Sequence, residues 1–197
     1  MSDLFAKSSI DQNLESPLAD KMRPQALHEV IGQDHLLGEG APLQNMISSG
    51  IFSSLILWGP PGVGKTTIAR LLAEHSKSHF EQLSAIFTGV SDLKKVFETA
   101  KIRRTNGHKT IIFVDEIHRF NKSQQDSFLP FLEDGTITLI GATTENPSFE
   151  LNSAILSRVQ VLVLERLTMD FISPVFVFIT TAHPWSALYF SNCLNSA

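Results

Sequence analysis

The stretch GPPGVGKTT at residues 59–67 constrains this chain more than any other feature, because of what stands on either side of it. Leu55, Ile56, Leu57 and Trp58 precede it as the continuous apolar run that a strand buried on both faces requires. After it, Ile68, Leu71, Leu72 and His75 recur at helical spacing. Strand, glycine loop and helix in that order build a cradle for phosphate. Gly59, Gly64, Lys65 and Thr66 satisfy the GxxxxGK[ST] pattern, with Pro60, Pro61, Gly62, Val63 and Thr67 completing the loop. Glycines let several backbone N–H groups turn inward, and the helix N-terminus adds partial positive charge. Lys65 supplies a mobile cation for the β and γ phosphates, and the Thr66 hydroxyl a ligand for Mg²⁺.

A second apolar run, Ile111 to Val114, ends in Asp115 and Glu116. Open parallel sheets bind ligands at the carboxyl ends of their strands, so Asp115 is placed to hold the magnesium shell and Glu116 to orient or deprotonate water. The pair implies hydrolysis of a nucleoside triphosphate. Further on, GATTEN ends another strand candidate and brings Thr144 toward the γ phosphate, as a water-holding side chain or simply a turn former. Arg158, in NSAILSR, is a candidate arginine finger, although an arginine near a helix end also serves as a dipole or ion-pair partner.

The remaining pattern sets the fold class. A short helix is expected from Pro42 to a stop at Gly50, a weaker strand over residues 80–87, and a helix carrying Leu93, Val96, Phe97 and Ala100, with Lys94 and Glu98 one turn apart. Ser123 and Asp126 read as a capping box for a helix that Pro130 kinks or ends. Strands are expected over 136–141 and 159–164, with a short helix over 152–157 between them. Strands alternating with helices imply a doubly wound α/β domain, a parallel sheet with helices on both faces.

Composition narrows the function classes. A net charge of -4 lacks the positive field of a dedicated nucleic-acid module. The basic stretch between Ser91 and Lys109 reads either as a solvated helix face or as a local phosphate-backbone contact. The lone Cys193 allows no internal disulfide, no histidine spacing suggests a metal, and no secretory leader opens the chain, so a cytoplasmic location is expected. His118 reads as a surface residue or as a contact to nucleotide-linked groups. All charged residues lie between Asp3 and Asp170. The segment after them is long enough for a bilayer but broken by Pro174, His183 and Pro184. Beside a membrane span it reads as a buried apolar tail packing on this chain or a neighbour, or as a replaced or out-of-frame ending, the reading favoured here.

Four segments together carry a resemblance: PLADKMRPQALHEVIGQDHLLGEG, GPPGVGKTT, FVDEIHRFNKSQQDSFLP and EDGTITLIGATTENPSFELNSAILSR. From about Pro17 to Thr168 the chain resembles the AAA+ ATPases of the replication-associated recombination protein A group, related to the eukaryotic Werner-helicase-interacting ATPase. The resemblance implies a P-loop AAA+ core with ATP and Mg²⁺ as ligands, working as an oligomer on DNA at stalled or damaged forks, nucleoid-associated and with single-strand-binding protein among its partners. It assigns Lys65 and Thr66 to phosphate and magnesium, Asp115 to magnesium, Glu116 as catalytic base, Thr144 as sensor 1 and Arg158 as a finger on a neighbour's ATP. Val30, Ile31 and Gly32 match the stretch lining the adenine pocket; by themselves they read as a short apolar core segment.

The expected domains are a loose arm over 1–16, the ATPase core over 17–168, and a tail over 169–197 that departs from the family, as a shifted reading frame would. On this reading the family's helical lid is absent. Two other functions stay open: a nucleotide-binding remnant without turnover, acting if at all as a dominant-negative partner of full-length subunits, and a small-molecule kinase built on the same loop.

Overall fold

The computed structural model describes residues 23–167. The expected arm, the apolar tail and Cys193 lie outside the described residues.

Five strands form one parallel sheet: β1 (Leu55–Trp58), β2 (His79–Ser84), β3 (Thr110–Asp115), β4 (Ile137–Thr143) and β5 (Gln160–Val163), in the spatial order β2-β3-β4-β1-β5. The helices are α1 (Asp34–Leu37), α2 (Pro42–Ser49), α3 (Lys65–His75), α4 (Val90–Thr105), α5 (Lys122–Asp126), α6 (Leu129–Glu133), α7 (Pro147–Glu150) and α8 (Ser153–Leu156). Tight 3-10 turns cover Leu27–Glu29 and Ile117–Arg119.

Alternation along the strands splits the apolar side chains into two cores. Leu55 and Leu57 of β1, Ile111 and Phe113 of β3, and Ile140 and Ala142 of β4 meet Leu43 and Met46 of α2 and Ile68 and Leu72 of α3 on one face. Ile56, Ile112, Val114, Ile137 and Leu139 meet Leu93 and Phe97 of α4 and Phe128 on the other. The chain is thus the doubly wound α/β domain that the alternating pattern implies, and every central strand is buried on both faces.

Several boundaries move. β2 stops at Ser84 rather than running to Phe87, because Ser84 is the last residue with a partner on β3 and the amides of Phe87 and Thr88 turn back to its carbonyl. Ile86 and Phe87 are exposed as a result. The capping box is Asn121 with Gln124, not Ser123 with Asp126: the Gln124 amide donates to Asn121 Oδ1 at 2.9 Å and the Asn121 amide to Gln124 Oε1 at 3.0 Å. Pro130 sits in the first turn of α6, where its missing N–H costs nothing, so it opens a helix instead of ending one. On the polar side of α4, Glu98 pairs with Lys101 at 3.4 Å, three residues further on.

Register decides where the motifs meet. Trp58 lies opposite Thr143, and Ser84 opposite Asp115. Since β4 runs between β1 and β3, its carboxyl end falls between the glycine loop and the acidic pair.

Candidate functional site

The loop after β1 takes its shape from two left-handed glycines, Gly62 at φ 80° and Gly64 at φ 94°, a region that side chains with a Cβ avoid. Gly64 caps α3, whose first residue is Lys65. Gly59 is needed for a different reason: a Cβ there would stand 2.6 Å from the Leu164 carbonyl oxygen. The Lys65 ammonium is buried on the loop and donates to the carbonyls of Gly59 at 2.7 Å and Pro60 at 2.8 Å. Desolvation holds its pKa below the usual lysine range, and the nearby charges of Glu116 and Asp115 oppose that shift. Lysine and acidic pair therefore share one electrostatic site.

Asp115 closes β3, and Glu116 follows it in the left-handed region at φ 52° and ψ 49°. For a non-glycine residue this conformation costs about 1–3 kcal/mol. Fully buried Ile117 behind it anchors the turn in the core. The strained backbone aims the Glu116 carboxylate at the end of β4, where Thr144 Oγ1 donates to Glu116 Oε2 at 3.3 Å.

His118 Nδ1 lies 3.2 Å from the same carboxylate oxygen and 2.9 Å from Thr143 Oγ1. Thr143 in turn donates to the Glu145 carbonyl at 3.2 Å and accepts from the Glu145 amide at 3.1 Å. A hydroxyl has one proton; with it directed to Glu145, Thr143 can only accept from His118, as the carboxylate must. Both contacts call for a hydrogen on Nδ1. His118, with 13% of its side chain exposed, is thus no surface residue but a strut behind Glu116. Sequence reasoning missed Thr143 altogether, although a threonine closing an apolar strand was a signal, since a fully buried hydroxyl needs partners.

Val30 and Ile31 line a cavity of about 320 Å³ together with Glu29, Gly62, Val63, Gly64, Thr67 and Leu167. Gly32, at φ 75°, takes the left-handed conformation and is not among the residues that line it. Arg158 is not brought to this site. It precedes β5 at the amino edge of the sheet, donating to Glu133 Oε1 at 2.6 Å and to the Ala154 carbonyl at 2.8 Å. Among the described residues no group of three or more His, Cys, Asp or Glu could hold a metal ion. A cation at the loop would draw on Asp115, the Thr66 hydroxyl and phosphate oxygens, a sparse donor set that suits Mg²⁺.

The family model "ATPase family associated with various cellular activities (AAA)" matches residues 55–167. Replication-associated recombination protein A of Escherichia coli K12 is 55% identical over 163 residues, which are 83% of this chain and 36% of that protein. The ATPase WRNIP1 of Dictyostelium discoideum is 50% identical over 155 residues, 79% of this chain and 18% of that one. The chain therefore spans about a third or less of the length of these relatives. Among solved structures, the Thermotoga maritima RuvB Holliday junction branch migration motor superposes with a TM-score of 0.65 at 27% identity, covering 82% of this chain and 54% of that one.

Proposed function

The chain belongs to the AAA family of ATPases, with a core related to replication-associated recombination protein A and WRNIP1, and from that membership we propose that it binds ATP with Mg²⁺ and hydrolyses it in replication and recombination. One observation carries the reading: the buried Lys65 ammonium, seated on the glycine loop, lies within the fields of Asp115 and Glu116 at the ends of neighbouring elements. A nucleoside triphosphate with its metal supplies the negative and positive charge that such an arrangement is built to accommodate.

On this reading the amides of residues 59–67 cradle the phosphates, and Lys65 neutralises the β and γ oxygens. Thr66 and Asp115 hold Mg²⁺, which when bound offsets the charge that develops as the γ phosphoryl group departs. Glu116, set by Thr144 and His118, takes the proton of the attacking water. Thr144 is the group that senses the γ phosphate, and Val30 and Ile31 face the base, with Gly32 shaping the turn behind them. Arg158 serves the ATP of a neighbouring copy. DNA at forks or junctions, further copies of the chain and single-strand-binding protein are the partners, in the nucleoid; no helix of the described residues is long and apolar enough to cross a membrane.

The test is calorimetry with Mg²⁺ and ATP, then turnover with and without DNA. Wild type should bind and show DNA-stimulated, Mg²⁺-dependent turnover, and Glu116→Gln should lose at least about a hundredfold in rate while keeping its ATP affinity. Unchanged turnover in that variant removes Glu116 from the mechanism. Binding without turnover in wild type supports the remnant instead, and absence of binding by folded protein ends the whole reading.

A further inference from the structure

Gln33 is completely buried, yet it belongs to neither motif. Its side-chain amide spans 132 residues of sequence to pair with the backbone of Glu165: Nε2 donates to the Glu165 carbonyl at 2.9 Å, and the Glu165 amide donates to Oε1 at 3.2 Å. A primary amide offering one donor and one acceptor to one residue imitates a strand neighbour, so Gln33 extends the sheet edge just past β5. His35 grips the same edge two residues earlier, its Nε2 lying 2.8 Å from the Val163 carbonyl oxygen. The opposite side of this strand extension is also held. Leu164 donates to the Trp58 carbonyl at 2.7 Å, and its own carbonyl packs where only a glycine fits at position 59.

These links form a chain of contacts. Val30 and Ile31 lead through the Gly32 turn to Gln33, Gln33 to Glu165, and Leu164 to the first residue of the phosphate loop. Leu167, just beyond the clamp, returns to line the same cavity as Val30, Ile31 and the loop. The distance between cavity wall and loop is therefore set by a buried amide pair and not by apolar packing alone. A wall held in place before binding saves the ordering entropy of assembling it around a ligand.

We propose that Gln33 is a positioning residue for nucleotide binding, holding the Val30 and Ile31 wall at the separation from the phosphate loop that a nucleoside needs. The inference rests on the nucleotide reading of the site and assigns Gln33 no contact with the ligand. Its consequence is selective: the base and sugar contribution depends on the clamp, whereas the grip on the phosphates does not.

The experiment measures calorimetric affinities of the 197-residue chain and its Gln33→Met variant for Mg²⁺-ATP and for Mg²⁺-tripolyphosphate. Methionine keeps the volume and removes both hydrogen bonds. ATP affinity should fall roughly tenfold while tripolyphosphate affinity stays within about twofold. An equal loss for both ligands, or an unchanged ATP affinity, overturns the proposal. Should Gln33→Met fail to fold, His35→Ala decides, since its exposed side chain holds the same edge: a selective loss of ATP affinity supports the clamp, and no selectivity overturns it. Wild type binding tripolyphosphate as tightly as ATP shows that no base wall exists and overturns the clamp alone. Wild type binding neither overturns the nucleotide reading itself.

Discussion

Lys65, the cation proposed for the phosphates, shows what burying such a charge costs the fold. Its pKa lies below 10.5 because desolvation outweighs the help of Glu116 and Asp115. The folded state thus gives up its proton at lower pH than the unfolded chain, and stability from this group rises as pH climbs from the lowered value toward 10.5. At neutral pH the charged ammonium is a net burden. Lys65→Met should melt no lower than wild type, measured by thermal unfolding, while losing nucleotide binding; a clear drop in melting temperature would show that its bonds to Gly59 and Pro60 outweigh desolvation. His118 belongs to the opposite class, a residue whose role the local sequence hid. The pair Asp115 and Glu116 was legible because an apolar strand ending in acids is a contiguous signal. The strut behind it was not, since Thr143 and His118 stand 25 residues apart. His118→Ala should lower turnover about tenfold with ATP affinity unchanged, because it frees the carboxylate without touching the phosphate cradle. A parallel loss of affinity would point to a general disturbance of the site.

At the scale of elements, the end of β1 and the segment after β5 act as one unit. The ladder from Leu55 opposite Gln160 to Trp58 opposite Val163 continues in the bond from Leu164 to Trp58, and Gly59 leaves room for the Leu164 carbonyl. Gly59→Ala would press a methyl group against backbone that a rotamer change cannot move. A destabilisation of about 1–3 kcal/mol in denaturant unfolding is expected, with weaker ATP binding because the loop shifts with the strand. Gly62→Ala makes the contrast: open space surrounds that position, but its φ of 80° makes any Cβ strained. Element identity was readable from periodicity for β1, α3 and β3. Boundaries were less so where they depended on a neighbour, as at β2, which ends with its β3 partner, and at α5, whose start is chosen by the Asn121 and Gln124 exchange.

The whole molecule places its two candidate catalytic ends apart. The phosphate loop and Glu116 occupy the carboxyl edge of the sheet, while Arg158, with Ser53, Ser54, Lys109 and Thr136, lines a cavity at the amino edge. Four residues of β1 alone separate these edges by about 13 Å. Arg158 therefore cannot serve its own loop, and a head-to-tail contact with a second copy is the geometry that would employ it. Arg158→Ala and Glu116→Gln chains should each be inactive alone, yet a mixture should recover turnover at roughly a quarter of its interfaces, where an intact base meets an intact arginine. No recovery in mixtures that demonstrably co-assemble would remove Arg158 from catalysis.

The amino-acid order by itself determined the glycine loop between strand and helix, the acidic strand end and the alternating α/β pattern, because each is written within a few consecutive residues and follows from backbone periodicity and glycine geometry. Only the tertiary structure decided the strand order that puts Thr144 between the two motifs, the support of Glu116 by His118, and the Gln33 clamp on Glu165. Those are hydrogen bonds between residues tens to more than a hundred positions apart, and no local pattern encodes which buried donor will find which acceptor once the sheet has closed.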